Sequence, residues 1–151
     1  MARLFNSTFE NALRIAILLC CFSSPQTVDM LYAADFMTTY GKTFGVSTSD
    51  LNGDNQYKFS EFVSRRQIVQ NALKKLVLDG VAIPQQSSAG ITYIISDYGR
   101  AIVDRLESDY AQEYKQVARS VVQSINGKNE RAVIANINRL STKSVGEGGK
   151  S

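Results

Sequence analysis

The sequence predicts a mainly α fold with a small β-hairpin wing: a winged-helix-like domain with a long C-terminal helix. Three observations predict it. The stretch from Tyr57 to Asp97 reads as an amphipathic helix, a tight stop, a strand, a polar turn and a second strand, so that a helix runs directly into a two-stranded wing. The segment NALRIAILLCCF ahead of it is apolar on most sides, as a central buried helix is. Behind it, apolar residues recur at helical spacing from Asp97 to Asn126.

Ser7 and Glu10 form an S-x-x-E capping pattern at the start of the first helix. Ala12, Ile15, Ala16 and Leu19 share one face, which Leu13, Ile17 and Leu18 widen, and Ser23, Ser24 and Pro25 stop the helix. A second helix is expected from Thr27 to Tyr40, with Thr27 as its cap and Asp29 favouring its first turn. A polar connection follows over residues 41–59. The third helix is expected to begin at Ser60 and to turn Phe62, Val69, Leu73 and Leu76 inward, leaving Arg65, Arg66, Gln67, Gln70, Asn71, Lys74 and Lys75 outside.

Asp79-Gly80 ends that helix, and Val81 to Ile83 makes a short strand. Pro84 to Gly90 is an uncharged wing tip, and Ile91 to Ile95 is the return strand, rich in β-formers. Ser96 or Asp97 caps a long helix over 97–126 on which Ile102, Leu106, Tyr110, Tyr114, Val117 and Val121 trace a ridge, and Gly127 ends it. Such a helix outruns a small domain at ~1.5 Å per residue, so part of its ridge is expected to meet a partner. The chain then divides into a winged-helix-like domain (1–126), a C-terminal helix (127–140) and a flexible tail (141–151).

Composition narrows the chemistry. The net charge is +3 and the pI about 8.9, too mild an excess to argue for nucleic acid. There is no histidine, which removes the usual general base near neutrality and the commonest zinc ligand. The adjacent Cys20 and Cys21 do not bridge each other readily on a helix and read as small buried hydrophobes of a reducing cytosol. No phosphate-cradling glycine loop is present and no serine or cysteine has an evident base, so no enzyme, catalytic residue, cofactor or metal is expected. The apolar run Ile15–Phe22 behind Arg3 is shorter than the ~18 residues of a membrane span. It is broken into by Glu10 and Arg14 on its approach, so a core helix is the better reading and no membrane contact is expected.

Three groups of residues are weighed as sites. Asp50, Asn52, Asp54 and Glu61 match the oxygen-ligand spacing of a calcium-binding loop, but Asn55 replaces its glycine and no entering helix precedes it. A turn leading into a helix explains them better. Arg65, Arg66, Lys74 and Lys75 are placed to touch DNA if the third helix enters a groove, although the wing tip supplies no cation to support them. Tyr98 is assigned to the core. Tyr110 and Tyr114 are assigned to an interface, along with Val117 and Val121.

The order of these segments resembles a family. The apolar leading helix is followed by Asp29, Leu31, Asp35 and Phe36 in VDMLYAADFMTTYG. The aromatic-basic-x-Ser step YKFSEF comes next, and soon after it Arg65-Arg66. The helix end LKKLVLDGVAI, the wing and a tyrosine-bearing helix complete the pattern. Over about Ala12 to Val122 this is similar to the small middle components of bacterial ABC-three-component systems, a group that includes the small accessory subunit of Lamassu anti-phage and anti-plasmid defence complexes. The loop DLNGDNQ departs from the shorter, proline-containing loop of that pattern. The resemblance implies a non-catalytic subunit whose partners are an SMC-like coiled-coil ATPase and an effector, often a nuclease, with DNA met through the complex. It also lends importance to Arg65 and Arg66 as partner-binding residues. A free winged-helix transcription regulator is the alternative.

Overall fold

The computed structural model describes residues 7–48, 50–51 and 58–148, of which 58–59 and 141–148 as backbone alone. Six helices and one antiparallel hairpin follow in the order α1 (Thr8–Cys21), α2 (Val28–Thr39), α3 (Lys58–Leu78), β1 (Ala82–Ser87), β2 (Gly90–Ile95), α4 (Asp97–Asp104), α5 (Asp109–Ile125) and α6 (Glu130–Gly148). This is the helical domain with a small β wing that the sequence predicts.

Capping residues fix where the helices begin. The Glu10 amide donates to Ser7 Oγ (3.1 Å) and the Ser7 hydroxyl to Glu10 Oε1 (3.0 Å), closing the box at the head of α1. Thr27 accepts from the Met30 amide at the head of α2. Helix α3 starts at Lys58, two residues ahead of the expected Ser60.

The core is built around α1 and α2, whose residues are buried almost throughout. Leu18, Leu31, Ala33, Ala34 and Phe36 are fully enclosed. Phe36 packs its ring against Tyr40, Phe44 and Phe62, and Tyr32 stacks on Phe62 at 4.4 Å between centroids. Helix α3 crosses α1 and α2 on one side, while α5 covers them on another and α6 lies along α2. The hydroxyl of Thr27 bonds the Glu130 carboxylate, tying the start of α6 to the start of α2.

The wing is longer and its tip tighter than the sequence suggests. The strands pair from Ala82↔Ile95 to Ser87↔Gly90, leaving Ser88 and Ala89 as the connection. Neither has positive φ; the left-handed step of the turn falls on Gly90 (φ +98°), where a side chain would be strained. On its other edge β2 meets Gln26, which exchanges both backbone hydrogen bonds with Tyr93 (3.0 and 2.8 Å). The segment between α1 and α2 therefore anchors the wing to the body.

Two expectations need correction. The continuous helix over 97–126 is two helices, α4 and α5, separated at 105–108. Ser108 is an N-cap that accepts from the Ala111 amide, with Asp109 in the first turn behind it. That start signal outcompetes continuation. The Leu106 carbonyl left over by the break accepts from Lys115 Nζ (2.9 Å) and Gln112 Nε2 (3.3 Å). The bend lets both helices lay their apolar faces on α1, so the ridge closes the chain's own core instead of outrunning it. Helix α6 also runs to Gly148, past the expected end at Leu140, because no proline or glycine interrupts it before Gly146. Residues 149–151 lie outside the described residues.

Candidate interaction site

A cluster of charged and polar side chains lies inside the chain. Asp35, in the middle of α2, is fully enclosed. Its Oδ1 accepts from Arg14 Nε (3.1 Å) and from the Tyr114 hydroxyl (2.7 Å), and its Oδ2 accepts from Arg65 Nη2 (2.7 Å) and Arg14 Nη2 (3.3 Å). Asn11 Oδ1 takes a further bond from Arg14 Nη2 (2.7 Å). One carboxylate thus joins α1, α2, α3 and α5. Burial pushes its pKa up, but Arg14, Arg65 and the Tyr114 hydroxyl outweigh that and hold it well below the usual carboxylate range. Two guanidiniums around one carboxylate leave a surplus positive charge, and Arg65 Nε finds no hydrogen-bond partner among the described residues.

These positions correct the assignment of partner-binding residues. Arg65 is buried on Asp35 and cannot reach a partner or DNA without unfolding the site. Arg66 is partly exposed but clamps Asp29 at the head of α2 with both nitrogens (2.6 and 3.4 Å). Tyr114 and Val121 are fully buried, and Val117 nearly so, because the bend before α5 folds them onto the body. Tyr110 is half-buried, stacks on Tyr114 at 6.3 Å and bonds Arg14. Tyr98, assigned to the core, is instead exposed on the first turn of α4.

Tyr114→Phe removes only the hydroxyl and leaves Asp35 short of a donor. We expect ~1–3 kcal/mol of lost stability, read as a lowered urea midpoint with unchanged m-value.

The calcium-like spacing does not assemble as far as it is described. Asp50 Oδ1 accepts from the Lys42 and Thr43 amides, and Glu61 accepts from the Tyr40 hydroxyl (3.0 Å). Asn52 and Asp54 lie outside the described residues, and no group able to hold a metal ion forms among those described. Cys20 and Cys21 are free thiols, partly buried, and burial pushes both upward, Cys21 to about 11. No described helix is long and apolar enough to cross a membrane.

What the surface offers is a groove of about 430 Å³ between α3 and the wing. Gln67, Gln70, Asn71, Lys74, Val77 and Leu78 line it as one stripe along α3, spaced three and four apart. Pro84, Ile91 and Tyr93 face them from the wing, since their cross-strand pairing puts them on one side of the hairpin. Leu78 is 80% exposed and Ile91 49%, large apolar side chains that folding leaves in water.

Of the four cations proposed to touch DNA, only Lys74 lines this groove without a salt bridge among the described residues; Lys75 is paired with Asp79 (2.9 Å). One free lysine beside an apolar floor suits a protein partner better than a phosphate backbone. Of the outer face expected for α3, Gln67, Gln70, Asn71 and Lys74 line the groove while Arg65 turns inward, and Leu78, Pro84 and Ile91 were not foreseen as part of it. The signal was a leucine at the last position of an amphipathic helix, directly before the stop.

Comparison with curated proteins and with solved structures gave no match. The family described as ABC-three component (ABC-3C) system Middle Component 2 matches residues 4–147, nearly the whole chain. The span includes both arms of the Asp35 cluster, the Asp29–Arg66 pair, the wing and the groove. The chain therefore belongs to the Middle Component 2 family, and is one component of a multi-component ABC-3C system.

Proposed function

We propose that this protein is a non-catalytic accessory subunit of a Lamassu-type anti-phage and anti-plasmid complex, bridging an SMC-like coiled-coil ATPase and an effector nuclease in the bacterial cytoplasm. The observation that carries the reading is the groove between α3 and the wing. It exposes large apolar side chains, is rimmed by amides and offers one cation, Lys74, without a salt bridge among the described residues. A recess with an exposed apolar floor of this kind receives a partner's side chains. A free DNA-reading regulator is the weaker reading, because Arg65 is buried and Arg66 and Lys75 are already paired.

Co-expression with the neighbouring ATPase and effector genes tests the proposal. The small protein is expected to co-elute with the ATPase. The double variant Leu78→Asp, Ile91→Asp is expected to weaken that association at least about tenfold, the effect of 1.4 kcal/mol or more at a hot spot. Because both side chains are exposed, its folding stability should stay within roughly 0.5 kcal/mol per site. Separate elution of the wild-type protein from both partners overturns the reading. Co-elution with an undiminished double variant keeps the subunit but removes the groove from its interface.

A further inference from the structure

A second recess, of about 330 Å³, lies where the end of α1 meets α4 and α5. Its lining carries Arg100 from α4, Lys115 and Arg119 from α5, and one acid, Asp104. Arg100 and Arg119 are exposed and make no hydrogen bond or salt bridge among the described residues. Lys115 gives one of its three N–H donors to the Leu106 carbonyl, which fixes its position and leaves two for a ligand. Cys20 and Cys21 also line it. As burial keeps both thiols protonated near neutrality, they do not cancel the cations. The lining therefore carries two positive charges more than it has negative ones, three cations against Asp104.

This convergence is a product of the bend. In one continuous helix Arg100 would stand ~22 Å from Lys115 and ~28 Å from Arg119, at ~1.5 Å per residue. Breaking the helix at 105–108 brings all three to one recess. The same lysine that satisfies the broken end of α4 is one of the three.

We propose that this recess binds a terminal phosphate group, as carried by a mononucleotide or by the 5′ end of a nucleic-acid strand. A terminal phosphate carries about 1.5 to 2 negative charges near neutrality. It thereby matches the surplus of the lining, whereas a backbone diester or a carboxylate carries one. Two guanidinium forks and an ammonium are the donors that a phosphate's oxygens take. The site shares no lining residue with the groove between α3 and the wing, and does not depend on what that groove receives.

The test is titration of the full chain, followed by amide NMR, with four probes: inorganic phosphate, AMP, and a short single strand with and without its 5′ phosphate. Resonance shifts at Arg100, Lys115 and Arg119 are expected with phosphate, AMP and the 5′-phosphorylated strand. The hydroxyl-ended strand should bind at least about tenfold more weakly than the 5′-phosphorylated one, and the ratio of the AMP affinity to that of the 5′-phosphorylated strand tells a free nucleotide site from a strand-end site. Arg100→Ala with Arg119→Ala should weaken binding by about tenfold or more. Asp104→Asn should strengthen it, and Lys74→Ala, in the other recess, should change nothing. Equal binding of both strands, no shift at these residues with inorganic phosphate, or equal loss in Lys74→Ala would each overturn the proposal. If the double arginine variant loses its native amide spectrum, Asp104→Asn alone decides: unchanged or weaker binding refutes it.

Discussion

Asp35→Asn is expected to lower the unfolding free energy by ~3–5 kcal/mol, the cost of leaving buried charges without their counter-charge. Asn keeps the size and one acceptor oxygen but presents an N–H₂ to guanidiniums that already need acceptors. Arg14 and Arg65 then remain in the interior with no negative charge beside them, and Tyr114 loses a charged acceptor. For a chain of this length the drop should appear as a fall in Tm on the order of 10 °C. The control is the exposed pair, where Asp29→Asn should cost less than ~1 kcal/mol because the Asp29–Arg66 contact is open to water. Equal losses at the two sites would show that burial of the Asp35 cluster contributes nothing special.

The same carboxylate sets an acid limit. Its folded pKa is depressed well below its unfolded value near 3.8. The folded state thus holds fewer protons at Asp35 than the unfolded state whenever the pH falls below about 4. The stability it contributes is complete above that value and drains away as the pH falls toward the folded pKa. Wild-type stability measured from pH 6 down to pH 3 should decline faster than that of Asp35→Asn, which has no proton to take up there. Parallel declines would place the acid sensitivity elsewhere.

The fold was legible where one periodicity ran uninterrupted between strong signals. Ser7 with Glu10, Thr27 with Asp29, and Asp79-Gly80 before a β-rich run each sit at a real boundary. It was illegible where an apolar spacing continued across a weak break. Leu106 to Tyr110 keeps the helical interval even though Ser108 restarts the helix, so the ridge looked continuous. The interface assigned to Tyr114, Val117 and Val121 followed from that error, since only an overlong helix needs something to cover it. The ion cluster was hidden for another reason. Arg65 lies beside Arg66 on the outward-looking part of α3, and only the position of Asp35 in space shows that the first turns in and the second turns to Asp29. A buried-charge signal was nevertheless present: Arg14 and Asp35 each interrupt an apolar stretch of their helix, and a charge there calls for its opposite.

Gly99→Ala should destabilise the protein by ~2 kcal/mol or more, against the ordinary preference of helices. Alanine is favoured over glycine by about 1 kcal/mol in a helix interior, and Gly99 sits inside α4 without a positive φ. The backbone itself would accept the change. Space does not: a Cβ there would overlap the Val81 carbonyl oxygen and stand 2.8 Å from both Val81 Cγ1 and Ile95 Cδ1. The two side chains have some room to turn, but the carbonyl does not. Val81 O accepts from the Ser96 amide (2.9 Å) and from the Ser96 hydroxyl (3.0 Å), the same residue that caps α4. Relief therefore means lifting α4 off the base of the wing and losing that cap. Overpacking of this kind typically costs ~1–3 kcal/mol, to which the strained cap adds ~1 kcal/mol, and the helix preference offsets only part. The comparison that isolates the effect is Ala101→Gly, an exposed position of the same helix, where about 1 kcal/mol should be lost from propensity alone. A Gly99→Ala variant as stable as wild type would mean that α4 is not seated against the wing as described.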